Sequence, residues 1–280
     1  MEFVTIGNPN NAADTTGSPN PAGSVAYIYN IGKYEVSRDM ITKANSAGSL
    51  GITMYDMTGY GGNGVNKPAT GLSWYEAATY VNWLNTSTGG TAAYKFSGST
   101  FQLWSPTDAG YNANNIYRNS LANYVIASTD EWFKAAYGNL DGTWNNYPTG
   151  SDSVPTAVAS GTAANTAVYG QSESTGPADI TNAGGLSPYG TMAQGGSVWE
   201  WMETASDGSN NTAGENRELR GGSWYNESYI LNASYSYFDD PSDENGSDGF
   251  RVASVPEPSA LSLLAIGLSG LALVRRRKQS

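Results

Sequence analysis

The chain has 280 residues, with 14 Lys plus Arg against 25 Asp plus Glu, a formal charge of −11, and neither Cys nor His. The two absences exclude disulfides, thiol nucleophiles, thiolate metal sites and the imidazole that serves most often as general base and transition-metal ligand. Any chemistry must come from carboxylates, hydroxyls, amides, Lys, Tyr or Arg, and the lack of Cys assigns no redox compartment.

Hydrophobic residues make up 39% of the chain, including 8 Trp and 19 Tyr, which is enough for a substantial core. Only 14% of residues are charged and 34 are Gly, a composition that favours a turn-rich domain over a helical bundle. Four of the basic residues are Arg275, Arg276, Arg277 and Lys278, so the body before them is more acidic than the whole. Such a body repels polyanions, and no nucleic-acid partner is expected.

The first 24 residues are rich in Asn, Gly, Pro, Ser and Thr. Residues 27–37, YIYNIGKYEVS, then alternate apolar and polar side chains as a strand does. A short helix is predicted from Arg38, capped by Ser37 and stopped near Gly48. The clearest helix signal starts at Ser73, which with Glu76 has capping-box spacing, followed by Trp74, Ala77, Ala78, Val81 and Leu84 on one face. This helix should end near Asn85. A second box, Ser128 with Glu131, opens DEWFKAAY, for which Gly138 offers a left-handed terminator. Between these helices, and over residues 147–189, neither helical nor strand periodicity is present, which predicts long irregular segments on a scaffold.

The C-terminus is a segment of its own. Residues 255–258 read VPEP, residues 259–274 are uncharged and mostly apolar, and RRRK follows at 275–278. As a helix the apolar run would be about 24 Å long, short of a ~30 Å hydrocarbon core but workable with snorkelling Arg side chains. Pro256, Glu257 and Pro258, the apolar run and Arg275, Arg276 and Arg277 together resemble the PEP-CTERM sorting signal of Gram-negative bacteria. That resemblance implies a transmembrane helix over residues 259–274, an exosortase-type partner that cleaves near the motif, and delivery to the cell surface or extracellular polymer matrix. Proteins with this tail normally carry an N-terminal secretion signal. MEFVTIGNPNNAADTTG has neither its basic nor its apolar region, so either Met1 lies downstream of the true start, the favoured expectation, or the chain inserts by its tail alone.

Six blocks punctuate the body: YNIGKYEVS from Tyr29, LSWYEAATYVNWLN from Leu72, STDEWFKAAYG from Ser128, YGTMAQGGSVWEW from Tyr189, ELRGGSW from Glu218 and DGFRVAS from Asp248. In order and spacing they resemble the formylglycine-generating enzyme, or sulfatase-modifying factor, superfamily. The resemblance implies an α+β domain over residues 1–253 with little regular secondary structure and a distant C-type-lectin kinship, followed by the sorting signal at 254–280. Some members oxidise a sulfatase Cys with a copper ion held by two Cys. Those positions correspond here to Asn226 and Leu231, and a neighbouring active-site Ser to Ser223. Neither Asn nor Leu supplies the soft thiolate that Cu(I) selects, so no copper is expected. A second branch holds iron through His, which this chain lacks, so no iron is expected either.

Calcium needs only oxygen donors. The resemblance places one calcium site on Asn165 and the carbonyl of Thr166, and a second on the carbonyls of Gly196 and Val198 with Glu200. The family's usual side-chain donors at Ala193 and Ser197 are missing. The alternative for Glu200 is a structural carboxylate paired with Arg220 or Arg251. The acidic run at 239–249 fails the EF-hand spacing and reads as a solvated loop.

Trp224, Tyr225, Tyr229, Tyr235 and Tyr237 fall where the family builds its groove, beside Asn226, and suit a glycan or peptide ligand. The expected function is an exported, surface-anchored, non-catalytic binding or structural module. The alternatives are a family enzyme with other catalytic residues and a calcium-dependent glycan binder.

Overall fold

A computed structural model describes residues 1–255. The predicted helix over residues 259–274 and the sorting-signal residues Pro256, Glu257, Pro258, Arg275, Arg276 and Arg277 lie outside the described residues. Among the described residues no helix is long and apolar enough to cross a membrane.

Three α-helices form where the caps predict them. Helix α1 spans Arg38–Gly48, with the Ser37 hydroxyl accepting from the Met40 N–H and Ser49 closing the end at φ 52°. Helix α2 spans Trp74–Thr86 and helix α3 spans Thr129–Tyr137, and both open with reciprocal capping boxes. In α3 the Glu131 carboxylate accepts from the Ser128 N–H at 2.7 Å while the Ser128 hydroxyl accepts from the Glu131 N–H. Two otherwise orphaned donors are thereby satisfied at each helix start.

Gly138 corrects one expectation. Its backbone is extended, at φ −74° and ψ 141°, not left-handed. Space is what excludes a side chain here: a Cβ would lie 2.6 Å from the Lys134 carbonyl oxygen that ends the helix.

The buried face of α2 carries Trp74, Ala77, Ala78 and Val81, with Leu84 half-buried at its margin. Asn85 is also fully buried: its amide donates to the carbonyls of Val81 and Tyr124 and accepts from the N–H groups of Asn123 and Tyr124. That side chain ties α2 to the first sheet.

This sheet orders its strands Phe3–Ile6, Tyr29–Gly32, Val252–Ser254 and Tyr124–Ile126, all antiparallel. The predicted strand at residues 27–37 is therefore confined to Tyr29–Gly32. The second sheet runs Tyr237–Asp239, Arg217–Arg220, Trp199–Ala205 and Asp248–Phe250. Its last pair is parallel, with Asp248 opposite Trp199 and Gly249 opposite Glu200. Residues 147–189 hold only the short pair Thr156–Ala157 and Thr166–Ala167 and a single 3-10 turn, in line with their aperiodic sequence.

Trp74, Trp132 and Trp201 are completely buried between these elements. Each indole N–H has an acceptor, on the Met202 carbonyl, the Glu200 carboxylate and the Leu72 carbonyl respectively. A buried indole leaves no donor unpaired in this core.

Candidate functional site

The segment after the strand Arg217–Arg220 turns sharply through Gly221 and Gly222, at φ 93° and 75°. A Cβ on Gly222 would meet Ile230 Cγ2 at 2.8 Å, Leu231 Cδ1 at 3.5 Å and Asn226 Oδ1 at 3.6 Å. The turn thus gathers the three positions singled out from sequence. Ser223 donates both its N–H and its hydroxyl to Asn226 Oδ1, each at 2.8 Å. Leu231 packs beside them and is completely buried, as is Ser223. An amide and a hydrocarbon occupy the place where the resemblance expects two thiolates, and neither binds a soft cation.

Next to this turn opens a cleft of about 460 Å³, within the size range of small-ligand sites. Three aromatic groups wall it. Tyr55 and Tyr60 come from the irregular segment after α1, with ring centroids 6.0 Å apart. Trp224 and Tyr225 come from the glycine turn, edge to face at 5.1 Å. Trp199 lies 6.1 Å from Tyr235 and 5.7 Å from Tyr237, each at 39°. Trp224 is held in place by its indole N–H, which donates to the Glu173 carbonyl at 2.9 Å.

Glu173, Asp239 and Asp248 supply the carboxylates of the lining, together with the amides of Asn226 and Asn245. Among the described residues, no Lys or Arg lines it. Asn245 bridges two of the acids, donating to Asp239 at 3.0 Å and to Asp248 at 3.1 Å. Asp248 is only 3% exposed. Burial, reinforced by the charges of Asp239 and Asp243, pushes its carboxyl up to about 7 despite hydrogen bonds from Asn245 and Ser247.

The sequence expectations meet this geometry unevenly. Trp224, Tyr225, Asn226, Tyr235 and Tyr237 do line the cleft. Ser223 and Leu231 lie beneath it, and Tyr229 stands outside, 60% exposed with its ring against Tyr235. Trp199, at the start of its strand, lines the cleft, while Trp201 is completely buried in the core. The acidic run is solvated only in its middle: Asp239 and Asp248, at its two ends, reach the cleft. Tyr55, Tyr60 and Glu173 carried no motif, since they belong to aperiodic segments.

At the two proposed calcium positions, Asn165, the Thr166 carbonyl and Glu200 have protein partners. The Asn165 carboxamide oxygen accepts from the Thr149 hydroxyl at 2.9 Å, and the Thr166 carbonyl accepts from the Gly185 N–H at 2.8 Å. Glu200 is fully buried and receives Arg251 on both oxygens and Trp132 on one. Arg251 is thus its partner, while Arg220 pairs with Glu218. Ser197, between Gly196 and Val198, donates to Glu35 at 3.2 Å. Glu35 keeps one buried oxygen without a hydrogen-bond partner, and burial plus the nearby Glu200 charge push its carboxyl up to about 8. Among the described residues, no three Asp, Glu, His or Cys side chains converge on one point. The Asn165 carboxamide oxygen, the Thr166 carbonyl and the Glu200 carboxylate are thus engaged by protein donors.

Comparison with known proteins places the architecture. Residues 7–255 match the sulfatase-modifying factor enzyme 1-like domain, and residues 254–278 match the PEP-CTERM protein-sorting motif. No curated protein matches the chain. Among solved structures, Treponema denticola variable protein 1 is 19% identical with a TM-score of 0.64, covering 91% of this chain and 95% of its own. CarF is 17% identical with a TM-score of 0.65, covering 91% and 98%. PvdO from Pseudomonas aeruginosa is 17% identical with a TM-score of 0.57, covering 91% and 92%. At these identities the likeness carries the fold alone. The sorting motif is a signal for export, read by an exosortase-type enzyme. With its fold, its glycine turn and the domain match over nearly the whole body, the chain belongs to the sulfatase-modifying factor, or formylglycine-generating enzyme-like, family and carries a PEP-CTERM sorting motif.

Proposed function

We propose that this protein is a non-catalytic binding module of the cell surface or extracellular polymer matrix, anchored through its C-terminal segment until an exosortase-type enzyme processes it. The observation that carries the reading is the pairing of a sulfur-free turn at Asn226 and Leu231 with an aromatic cleft directly above it. Without thiolates the ancestral oxidation has no copper ligands, whereas the cleft keeps the size and the ring faces of a ligand site. Oxygen consumption by the purified protein with a Cys-containing sulfatase peptide and added copper tests this directly. Turnover above the protein-free rate overturns the reading, and none is expected.

A second reading, a family enzyme working through other residues, draws support from Asp248. A carboxyl held near 7 inside a cleft is poised for proton transfer at neutral pH. Glycoside or ester turnover abolished by Asp248→Asn with ligand binding intact would favour that reading over the binding module.

A further inference from the structure

The cleft has an electrostatic signature that narrows its ligand. Glu173, Asp239 and Asp248 face it, and none of the three joins an ion pair among the described residues. Among the described residues, four other buried carboxylates are paired with a cation: Glu131 and Glu203 share Arg118, Glu200 takes Arg251 and Glu218 takes Arg220, while Glu35 and Asp14, away from the cleft, have no ion pair. Asp248 is as buried as these yet has only an amide and a hydroxyl for company. A buried carboxylate without a cation is costly, and a cationic ligand would remove that cost.

The walls point the same way. The faces of Trp199 and its neighbouring tyrosines carry the negative side of the aromatic quadrupole, which attracts cations and disfavours anions. Among the described residues three acidic side chains do not converge on one point, so the carboxylates are spread along the cleft instead of gathered on a single ion. A neutral ligand would leave Asp248 uncompensated. An amine on a ring satisfies both features: the ammonium meets the carboxylates while the ring lies against aromatic faces. Asn226 spends its carboxamide oxygen on Ser223, which leaves its N–H pair to donate to ligand hydroxyls. A lysine side chain would use the carboxylate and one ring face but would offer nothing to that amide.

We infer that the cleft between Asp248, Asp239 and the Trp199 and Trp224 rings binds a protonated amino sugar, as presented by a de-N-acetylated polysaccharide. This rests on the proposal that the cleft is a binding site and names its ligand class. Attraction of polycations by the acidic body would raise the encounter rate at low salt.

Two Trp residues line the cleft, so intrinsic fluorescence reports occupancy. The full-length chain in detergent would be titrated with a glucosamine tetramer, the matching N-acetylglucosamine tetramer and a lysine tetrapeptide. The inference expects the free-amine tetramer to bind at least tenfold tighter than the acetylated one and than the peptide. It also expects a loss of tenfold or more in Asp248→Asn. Asp239→Asn, at a more exposed position, should weaken binding several-fold with folding intact. Equal binding of the two sugars, or binding unmoved by both substitutions, overturns the amino-sugar assignment while the binding module stands. Tightest binding of the peptide overturns the sugar assignment in favour of a peptide. Binding of none of the three overturns the assignment, and a negative broad glycan and peptide array would then overturn the binding module as well.

Discussion

Arg251 grips Glu200 through two N–H···O contacts, 3.0 Å from Nε and 2.7 Å from Nη2, with neither side chain exposed to solvent. The remaining guanidinium N–H groups go to the carbonyls of Gly32, Lys33 and Met192, so a single side chain joins both sheets to the segment before Gly195. Breaking one partner of such a pair strands the other charge in a dry interior, at a typical cost of about 3–5 kcal/mol. Glu200→Gln should therefore lower the urea midpoint of the purified protein sharply. A loss below about 1 kcal/mol, the range of an exposed pair, would show that the charge is not isolated from water.

The same pair sets an expectation for calcium. An ion at the second family position would have to compete with Arg251 and Trp132 for the Glu200 oxygens. Millimolar calcium is expected to leave the Tm unchanged. A Tm that climbs steadily with calcium concentration, as binding to the native state demands, would show that the ion displaces these donors.

Ser128→Ala should cost about 1 kcal/mol, since it removes the acceptor for the Glu131 N–H at the start of α3. The helix packs on the core through Trp132 and Phe133, so the loss should appear as a shift of the whole unfolding transition. Separate early melting of far-UV helix signal would contradict that cooperative picture.

Gly222→Ala places a methyl 2.8 Å from Ile230 at a φ of 75°. Both the contact and the backbone conformation oppose it, and a loss of about 1–3 kcal/mol follows from overpacking alone. Denaturant titration checks the value. A neutral outcome would mean that the turn relaxes freely, together with the Ser223–Asn226 bonds beside it.

Asp248 should make stability depend on pH. Its carboxyl lies near 7 when folded and near the ordinary value of about 3.9 when unfolded, so the native state holds the proton to higher pH. Between those limits unfolding releases a proton, and this group's contribution to stability declines as pH rises. Asp248→Asn removes the decline, so the variant should gain stability relative to wild type on going from pH 4 to pH 8. Parallel curves for the two proteins would place Asp248 in a solvated setting.

Residue spacing revealed the helices because Ser73 with Glu76 and Ser128 with Glu131 are local signals whose partners lie three positions away. The proximity of Ser223 to Asn226 came from the family resemblance, which set the two at neighbouring positions of the site. The far wall of the cleft was not legible. Tyr55 reaches it from a loop with no period, wedged against Gly246, where a Cβ would sit 2.9 Å from the tyrosine ring. Asp248 looked like part of a solvated acidic run. It is buried by a parallel pairing with Trp199, a relationship between residues far apart in sequence that no local pattern encodes.

The strand Val252–Ser254 occupies an interior place in its sheet, flanked by Tyr29–Gly32 on one side and Tyr124–Ile126 on the other. A pull on the chain end at Val255, directed along the axis of this strand, would load it lengthwise. Such a load would be resisted in shear, by hydrogen bonds to two neighbours strained together, instead of being unzipped one rung at a time.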